Sequence, residues 1–181
     1  TAEDDCTNTA SCVQNIVIED TEDPTIVCPA NITIQLDDAC IYDATPAVTG
    51  TATGMDNCGV ASYVPTDDLS GLTGCSGTGT ILRTWTATDL CNNTASCVQN
   101  IVIEDTMVPT ITCPANTTIN LDDACLFDSN PALTGMPTSD DNCGVAEYTP
   151  SDDLTGLSGC SNTGIIIRTW TVKDDCDLTS S

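Results

Sequence analysis

The chain has 181 residues and a formal net charge of −24, set by 27 acidic residues against three basic ones, Arg83, Arg168 and Lys173. That balance excludes nucleic acid and anionic membranes as partners, because neutralising phosphates takes Lys and Arg that the chain lacks, and it makes cations the natural counter-partner. Thirteen cysteines without a histidine or a C-x-x-C pair argue against zinc and redox centres and for disulfide staples, with buried free thiols as the alternative.

Taken in chain order, the elements repeat. Residues 8–21 read "NTASCVQNIVIEDT", and residues 93–106 read the same without a substitution. The cysteines at 6, 12, 28, 40, 58, 75 and 91 recur at 91, 97, 113, 125, 143, 160 and 176, a constant offset of 85. "NITIQLD" (31–37) alternates Ile32, Ile34 and Leu36 on one face and predicts a strand, and "NTTINLD" (116–122) matches it with Ile119 and Leu121. Turn-forming Gly, Asp and Asn fill "TGTATGMDNCG" (49–59) and "DDLSGLTGCSGTG" (67–79). "ILRTWTATD" (81–89) and "SCVQNIVIED" (96–105) flank "LCNN", which predicts an antiparallel hairpin. No segment shows a helical period with caps. Residues 171–181 then replay residues 1–11.

The expected fold class is all-β: tandem immunoglobulin-like antiparallel β-sandwich repeats with a period of 85 residues, stapled by disulfides. Residues 1–22 read as the last strand and linker of a preceding repeat, 23–105 as a complete repeat, and 106–181 as a repeat lacking its final strand. Disulfides place such a protein outside the cytoplasm. No initiating Met, signal peptide or bilayer-spanning apolar run is present, so the sequence reads as a mature product or a piece of something longer, with no membrane insertion in this segment.

"DPTIVCPANITI", "DNCG" and "RTWTATDLCNNTASCVQNIVIED" together resemble the hyalin-repeat (HYR) domain family, in the cysteine-rich form of bacterial surface proteins. The likeness covers residues 23–105 and resumes at Val108. Cys91 and Asn92 replace a small residue and Gly, and Arg83 stands where an apolar residue is expected, placed by snorkelling or cation–π packing beside Trp85. The resemblance implies extracellular adhesion or stalk modules with an immunoglobulin-like fold and no catalytic activity. Simpler members carry only the equivalents of Cys28 and Cys97, which implies that pair. The fold then groups Cys58 with Cys91 at the same end and Cys40 with Cys75 at the other, repeated as Cys143 with Cys176 and Cys125 with Cys160. The rival is pairing of sequence neighbours, Cys28 with Cys40, Cys58 with Cys75 and Cys91 with Cys97.

The stretches "IEDTEDP" and "IEDTMVP" place Glu19, Asp20 and Asp23, or Glu104 and Asp105, between successive repeats. Loop residues Asp56 and Asp89, or Asp141 and Asp174, face the same junctions. Such oxygen-rich groups can hold Ca²⁺ and stiffen an array, against the alternative that loop acids only confer solubility. Asp23 becomes Val108 in the second junction, so the two sites are not uniform. The pairs Asp37/Asp38, Asp67/Asp68, Asp122/Asp123 and Asp152/Asp153 read as turn chemistry. Sequons mark Asn31, Asn92 and Asn116 as glycosylation candidates. With 3% aromatic residues the chain cannot line a large apolar pocket, which argues against an enzyme, and no cofactor is required beyond Ca²⁺ at the junctions. The expected function is a structural tandem-repeat segment of an extracellular filament or cell-surface adhesin stalk, whose partners are neighbouring repeats of the same chain or fibre. The alternative is an adhesion module recognising surface glycans or proteins through the loops at one end. Donation of residues 8–21 to another subunit's sandwich is a further option. It would set Cys6 against Cys176 for one role.

Overall fold

Period-two alternation governs the chain, and the computed structural model, which describes residues 1–181 with the side chain of Ser161 excepted, is mostly β, at 39% strand and 7% helix. A short hairpin of β1 (Ala2–Glu3) and β2 (Thr9–Ala10) comes first. Next come β3 (Thr25–Val27), β4 (Ile32–Gln35), the single-turn α1 (Pro46–Thr49), β5 (Thr53–Met55), β6 (Val60–Asp68), β7 (Gly79–Asp89) and β8 (Thr94–Glu104). The order recurs in β9 (Thr110–Thr112), α2 (Pro131–Thr134), β10 (Thr138–Asp140), β11 (Val145–Asp153) and β12 (Ile167–Asp174), closing with β13 (Thr179–Ser180).

The hairpin predicted around "LCNN" is β7–β8. Asp89 closes it by accepting from the Cys91 and Asn93 amides, and Asn92 sits at φ 72°, a left-handed conformation that Asn tolerates. Ile81, Trp85 and Ala87 of β7 and Ile101 and Ile103 of β8 are buried, while Leu82 and Val98 between them face solvent. The sheet order is β4-β8-β7-β6, and the two-stranded sheet β3-β5 packs against its inner face. Cys28, just past β3, is bonded to Cys97 on β8, the pairing that the resemblance implies. Closing a loop of 69 residues in this way stabilises the fold by on the order of 4 kcal/mol in the chain-entropy model. Gln99, fully buried, donates to the Ala30 and Thr49 carbonyls at 2.9 and 2.8 Å and accepts from Trp85 Nε1 at 3.4 Å.

Three expectations are corrected. The strand predicted at 31–37 forms as β4, but it pairs with β8 in parallel, so the sheet is not purely antiparallel. Two four-residue helices, each begun by a proline, stand where no helical pattern is visible, because one turn is too short to show a period. Arg83 does not snorkel: it is 3% exposed and forks onto Asp67 at 2.6 and 2.7 Å, with further bonds to Thr49 Oγ1 and the Ala44 carbonyl. Asp67 is therefore an ion-pair partner, while Asp68, Asp37 and Asp122 do make turns by accepting from nearby amides. Arg168 repeats the fork on Asp152 and also lies 5.7 Å from the Trp170 ring centroid.

The second half is open. Its sheet is β11-β12-β13, and β12 begins at Ile167, although a full counterpart of β7 would begin at Gly164. No strand forms at 117–120, the counterpart of β4. Both gaps have one cause. β4 and β7 each pair with β8, and in the second half only Thr179–Ser180 stands in that place. Ile166, the counterpart of the buried Ile81, is consequently only half-buried. Among the described residues no helix is long and apolar enough to cross a membrane.

Replacing Arg83 with Ala removes the ion pair to the exposed Asp67 and leaves the buried Thr49 Oγ1 and the part-buried Ala44 carbonyl without their donor, and is expected to cost about 1–3 kcal/mol in urea unfolding, with Arg83→Lys recovering part of it. The Arg83 fork holds the Asp67 carboxyl below its ordinary 3.8. Its contribution is thus present above that value and lost as pH falls through the lower folded-state value, so stability should decline below about pH 4, and less so in Asp67→Asn.

Candidate functional site

The link after β8, the loop before β11 and the turn after β12 converge between the two halves, each contributing an aspartate from an Asx turn. Asp105 Oδ1 accepts from Met107 N at 3.1 Å, Asp141 Oδ2 from Cys143 N at 2.9 Å, and Asp174 Oδ1 from Cys176 N and Leu178 N at 2.7 and 2.9 Å. Each carboxylate therefore spends one oxygen on its own turn. The other oxygens, Asp105 Oδ2, Asp141 Oδ1 and Asp174 Oδ2, are buried without a hydrogen-bond partner, and so is Asn142 Oδ1. Ligand oxygens of the three aspartates lie within 4.8 Å of one another, and Asp174 is only 1% exposed. Buried carboxylate oxygens left unpaired are costly, and a cation offsets that cost. A set made wholly of hard oxygen donors suits Ca²⁺ rather than a thiophilic metal.

The upstream junction differs in a readable way. Asp20, Asp56 and Cys58 group there, with Asp89 drawn off: its Oδ1 accepts from the Cys91 and Asn93 amides and its Oδ2 from Asn93 Nδ2 at 2.8 Å. Burial alone would push the Asp89 carboxyl up, but the Asn93 and backbone hydrogen bonds hold it below the ordinary range. Asn93 also donates to the Asp20 carbonyl at 3.2 Å. Its counterpart is Leu178, which has no side-chain amide to give, and so Asp174 Oδ2 stays free. Hydrogen bonding to Asp20 and the charge of that carboxylate raise the pKa of the Cys58 thiol. The remaining candidates stand outside both groups: Glu19 and Asp23 are exposed, and Glu104 accepts from Gln35 Nε2 at 3.3 Å. Cys58, expected in a disulfide, is instead a free thiol in this group.

No protein-family model matches the chain, and no curated protein matches it.

The cysteines tie the same junction. Cys40 is bonded to Cys143 and Cys75 to Cys176, with Cα–Cα distances of 4.9 and 5.1 Å. These bonds replace the expected pairs Cys40–Cys75 and Cys143–Cys176. Cys58, Cys91, Cys125 and Cys160 are free and exposed, so Cys58–Cys91 and Cys125–Cys160 do not form either. Both Cys40 and Cys75 do lie at the end opposite Cys28, as the fold implies. That end abuts the next unit, however, and Cys40, held at φ 58° by the Asp37 turn, meets the loop that carries Cys143. Cys40 and Cys143 both pack against the Leu36–Ile81–Ile101–Ile103 cluster, and Asn142 Nδ2 donates to the Asp37 carbonyl at 3.2 Å. The sequons Asn31, Asn92 and Asn116 are all exposed, and Asn31 Oδ1 accepts from the Asn100 amide at 2.8 Å.

Peptide mapping of non-reduced protein is expected to recover Cys40–Cys143 and Cys75–Cys176. Replacing Cys40 and Cys75 together with Ser should leave each half folded but let them hinge, read as a broadened distance distribution between spin labels on the two halves. An unchanged distribution would show that the two bonds are not what fixes the junction.

Proposed function

We propose that the chain is a structural tandem-repeat segment of an extracellular filament or cell-surface stalk, made of hyalin-repeat-like, immunoglobulin-like sandwiches spaced by 85 residues. The observation that carries this reading is that two of the three disulfides join one half of the chain to the other. A disulfide inside a domain stabilises that domain. A pair of disulfides across a junction fixes one unit against the next, which serves a rod and is needed by neither a lone binding module nor an enzyme. Three intramolecular disulfides are typical of extracellular proteins and fit the proposed location.

Ca²⁺ at Asp105, Asp141 and Asp174 completes the reading. It offsets two of the three negative charges that converge within 4.8 Å and ties the link after β8 to two loops of the following unit. Glycans or proteins recognised by the loop ends would then be secondary to this spacing role.

Stretching the chain between its termini in an optical trap tests the rod. Without reductant the extension gained on unfolding should fall well short of the full contour length, since the disulfides span 69, 103 and 101 residues, and reduction should release the remainder. Free bending at the junction at low force in the oxidised protein would sink the reading. Saturating Ca²⁺, at 100 times its dissociation constant, should stabilise the protein by about 2.7 kcal/mol. Asp174→Asn should abolish most of that gain, whereas a melting midpoint indifferent to both Ca²⁺ and chelator would remove calcium from the scheme.

A further inference from the structure

The two disulfides that cross the junction and the three aspartates that converge there are built from the same turns. Cys143 donates its amide to Asp141 Oδ2 at 2.9 Å, and Cys176 donates its amide to Asp174 Oδ1 at 2.7 Å, each only two residues along the chain. One backbone hydrogen bond in each turn therefore places both a carboxylate and a sulfur. On the other side of the junction, the Asp37 carbonyl accepts from the Cys40 amide at 2.9 Å and from Asn142 Nδ2 at 3.2 Å, and the same Nδ2 lies 3.5 Å from Asp105 Oδ1. Asn142 thus joins the turn that carries Cys40 to the link that carries Asp105.

Asp174 is 1% exposed and its Oδ2 has no hydrogen-bond partner, and the buried Asn142 Oδ1 beside Asp105 has none either. Buried oxygens of this kind are satisfied by a hard cation. Their convergence depends on the disulfides. Among the described residues no sheet spans the two halves, so side chains and the link at Asp105 hold the junction. Cys40–Cys143 and Cys75–Cys176 fix the halves against each other, with Cα–Cα distances of 4.9 and 5.1 Å. Once both bonds open, Asp105 belongs to one body and Asp141 and Asp174 to another, and bringing the three together again costs the freedom of the hinge.

We propose that Asp105, Asp141 and Asp174 and the disulfides Cys40–Cys143 and Cys75–Cys176 form one redox-linked cation lock: closing the two bonds preassembles the Ca²⁺ site, and bound Ca²⁺ in turn resists their reduction. This rests on the reading of the three aspartates as a Ca²⁺ site. Linkage fixes the symmetry, because the factor by which opening both bonds weakens Ca²⁺ binding equals the factor by which saturating Ca²⁺ disfavours opening them. A coupling of ordinary strength makes that factor about tenfold. The reductant is a dithiol: its two sulfurs join, and its two protons and two electrons pass to the two cysteines as their S–S bond breaks. Cys28–Cys97 joins the end of β3 to β8 within the first half and crosses no junction, so it stands outside the lock. The junction then stays rigid where calcium is plentiful and thiols are scarce, and loosens where both conditions reverse.

The test is the oxidised full chain equilibrated in graded dithiothreitol, with and without saturating Ca²⁺, each cysteine then alkylated and quantified by mass spectrometry. Ca²⁺ should lower the joint reduction equilibrium of Cys40–Cys143 and Cys75–Cys176 about tenfold and leave Cys28–Cys97 unmoved. Asp174→Asn should remove the shift. Calorimetric titration should give a Ca²⁺ dissociation constant about tenfold weaker for the variant Cys40→Ser, Cys75→Ser, Cys143→Ser, Cys176→Ser than for the oxidised chain. Should that variant fail to fold, the wild-type reduction equilibria decide alone. Equal affinity in both proteins, Ca²⁺ binding without protection, or protection spread evenly over all three bonds overturns the lock and leaves the calcium reading standing. Absence of binding to the oxidised chain removes the calcium site and the lock together, whereas the rod stands or falls on its bending at low force.

Discussion

Strand β8 is the constraint on which the rest depends. Its four inward residues do three jobs in succession along one face: Cys97 is bonded to the opposing sheet, Gln99 satisfies two backbone carbonyls and the Trp85 indole, and Ile101 and Ile103 fill the core. Its edges pair with β7 on one side and β4 on the other. Where that strand is present, the first half has a four-stranded sheet and a buried aliphatic cluster. Where only its first residues are present, β12 is shortened, residues 117–120 form no strand, and Ile166 and Ile119 are more exposed than their counterparts Ile81 and Ile34. The two halves therefore act as an internal comparison of one sequence pattern with and without its central element.

Much of this is legible in the sequence, for a definite reason. Alternation has a period of two, so it reports strand and face directly, and the β7–β8 hairpin and β4 could be read from it. Partner and direction are not written in the same code. Nothing in "NITIQLD" tells whether its neighbour runs parallel, and nothing in "NTTINLD" reveals that its neighbour is missing. The cysteine pairs fail for a related reason. Placing Cys40 and Cys75 at one end of a unit follows from the fold, but which partner each meets depends on what abuts that end, and spacing within one repeat carries no information about the next.

The junction acids were legible by position and only partly by role. Asp105, Asp141 and Asp174 do converge, while Glu19, Asp23 and Glu104 lie outside the group. Asp89 and Asp174 occupy equivalent turns, and the change from Asn93 to Leu178 decides which of them keeps a free oxygen. Two near-identical repeats can thus carry junctions of different chemistry. Arg83 shows the opposite case: an arginine at an inward position needs an acid, and Asp67 lies opposite it in strand register.

All three basic side chains are engaged, Arg83 by Asp67, Arg168 by Asp152 and Lys173 by Glu147 and Asp177. Of the 27 acids, the 23 left after those four partners (27 − 4) have no basic side chain to pair with, and no spare cation remains to attract a neighbour's carboxylates. Chains of such charge repel one another over distances of about a Debye length. The charge that makes the chain a poor partner for anionic surfaces would also hold copies of it apart until multivalent ions screen them.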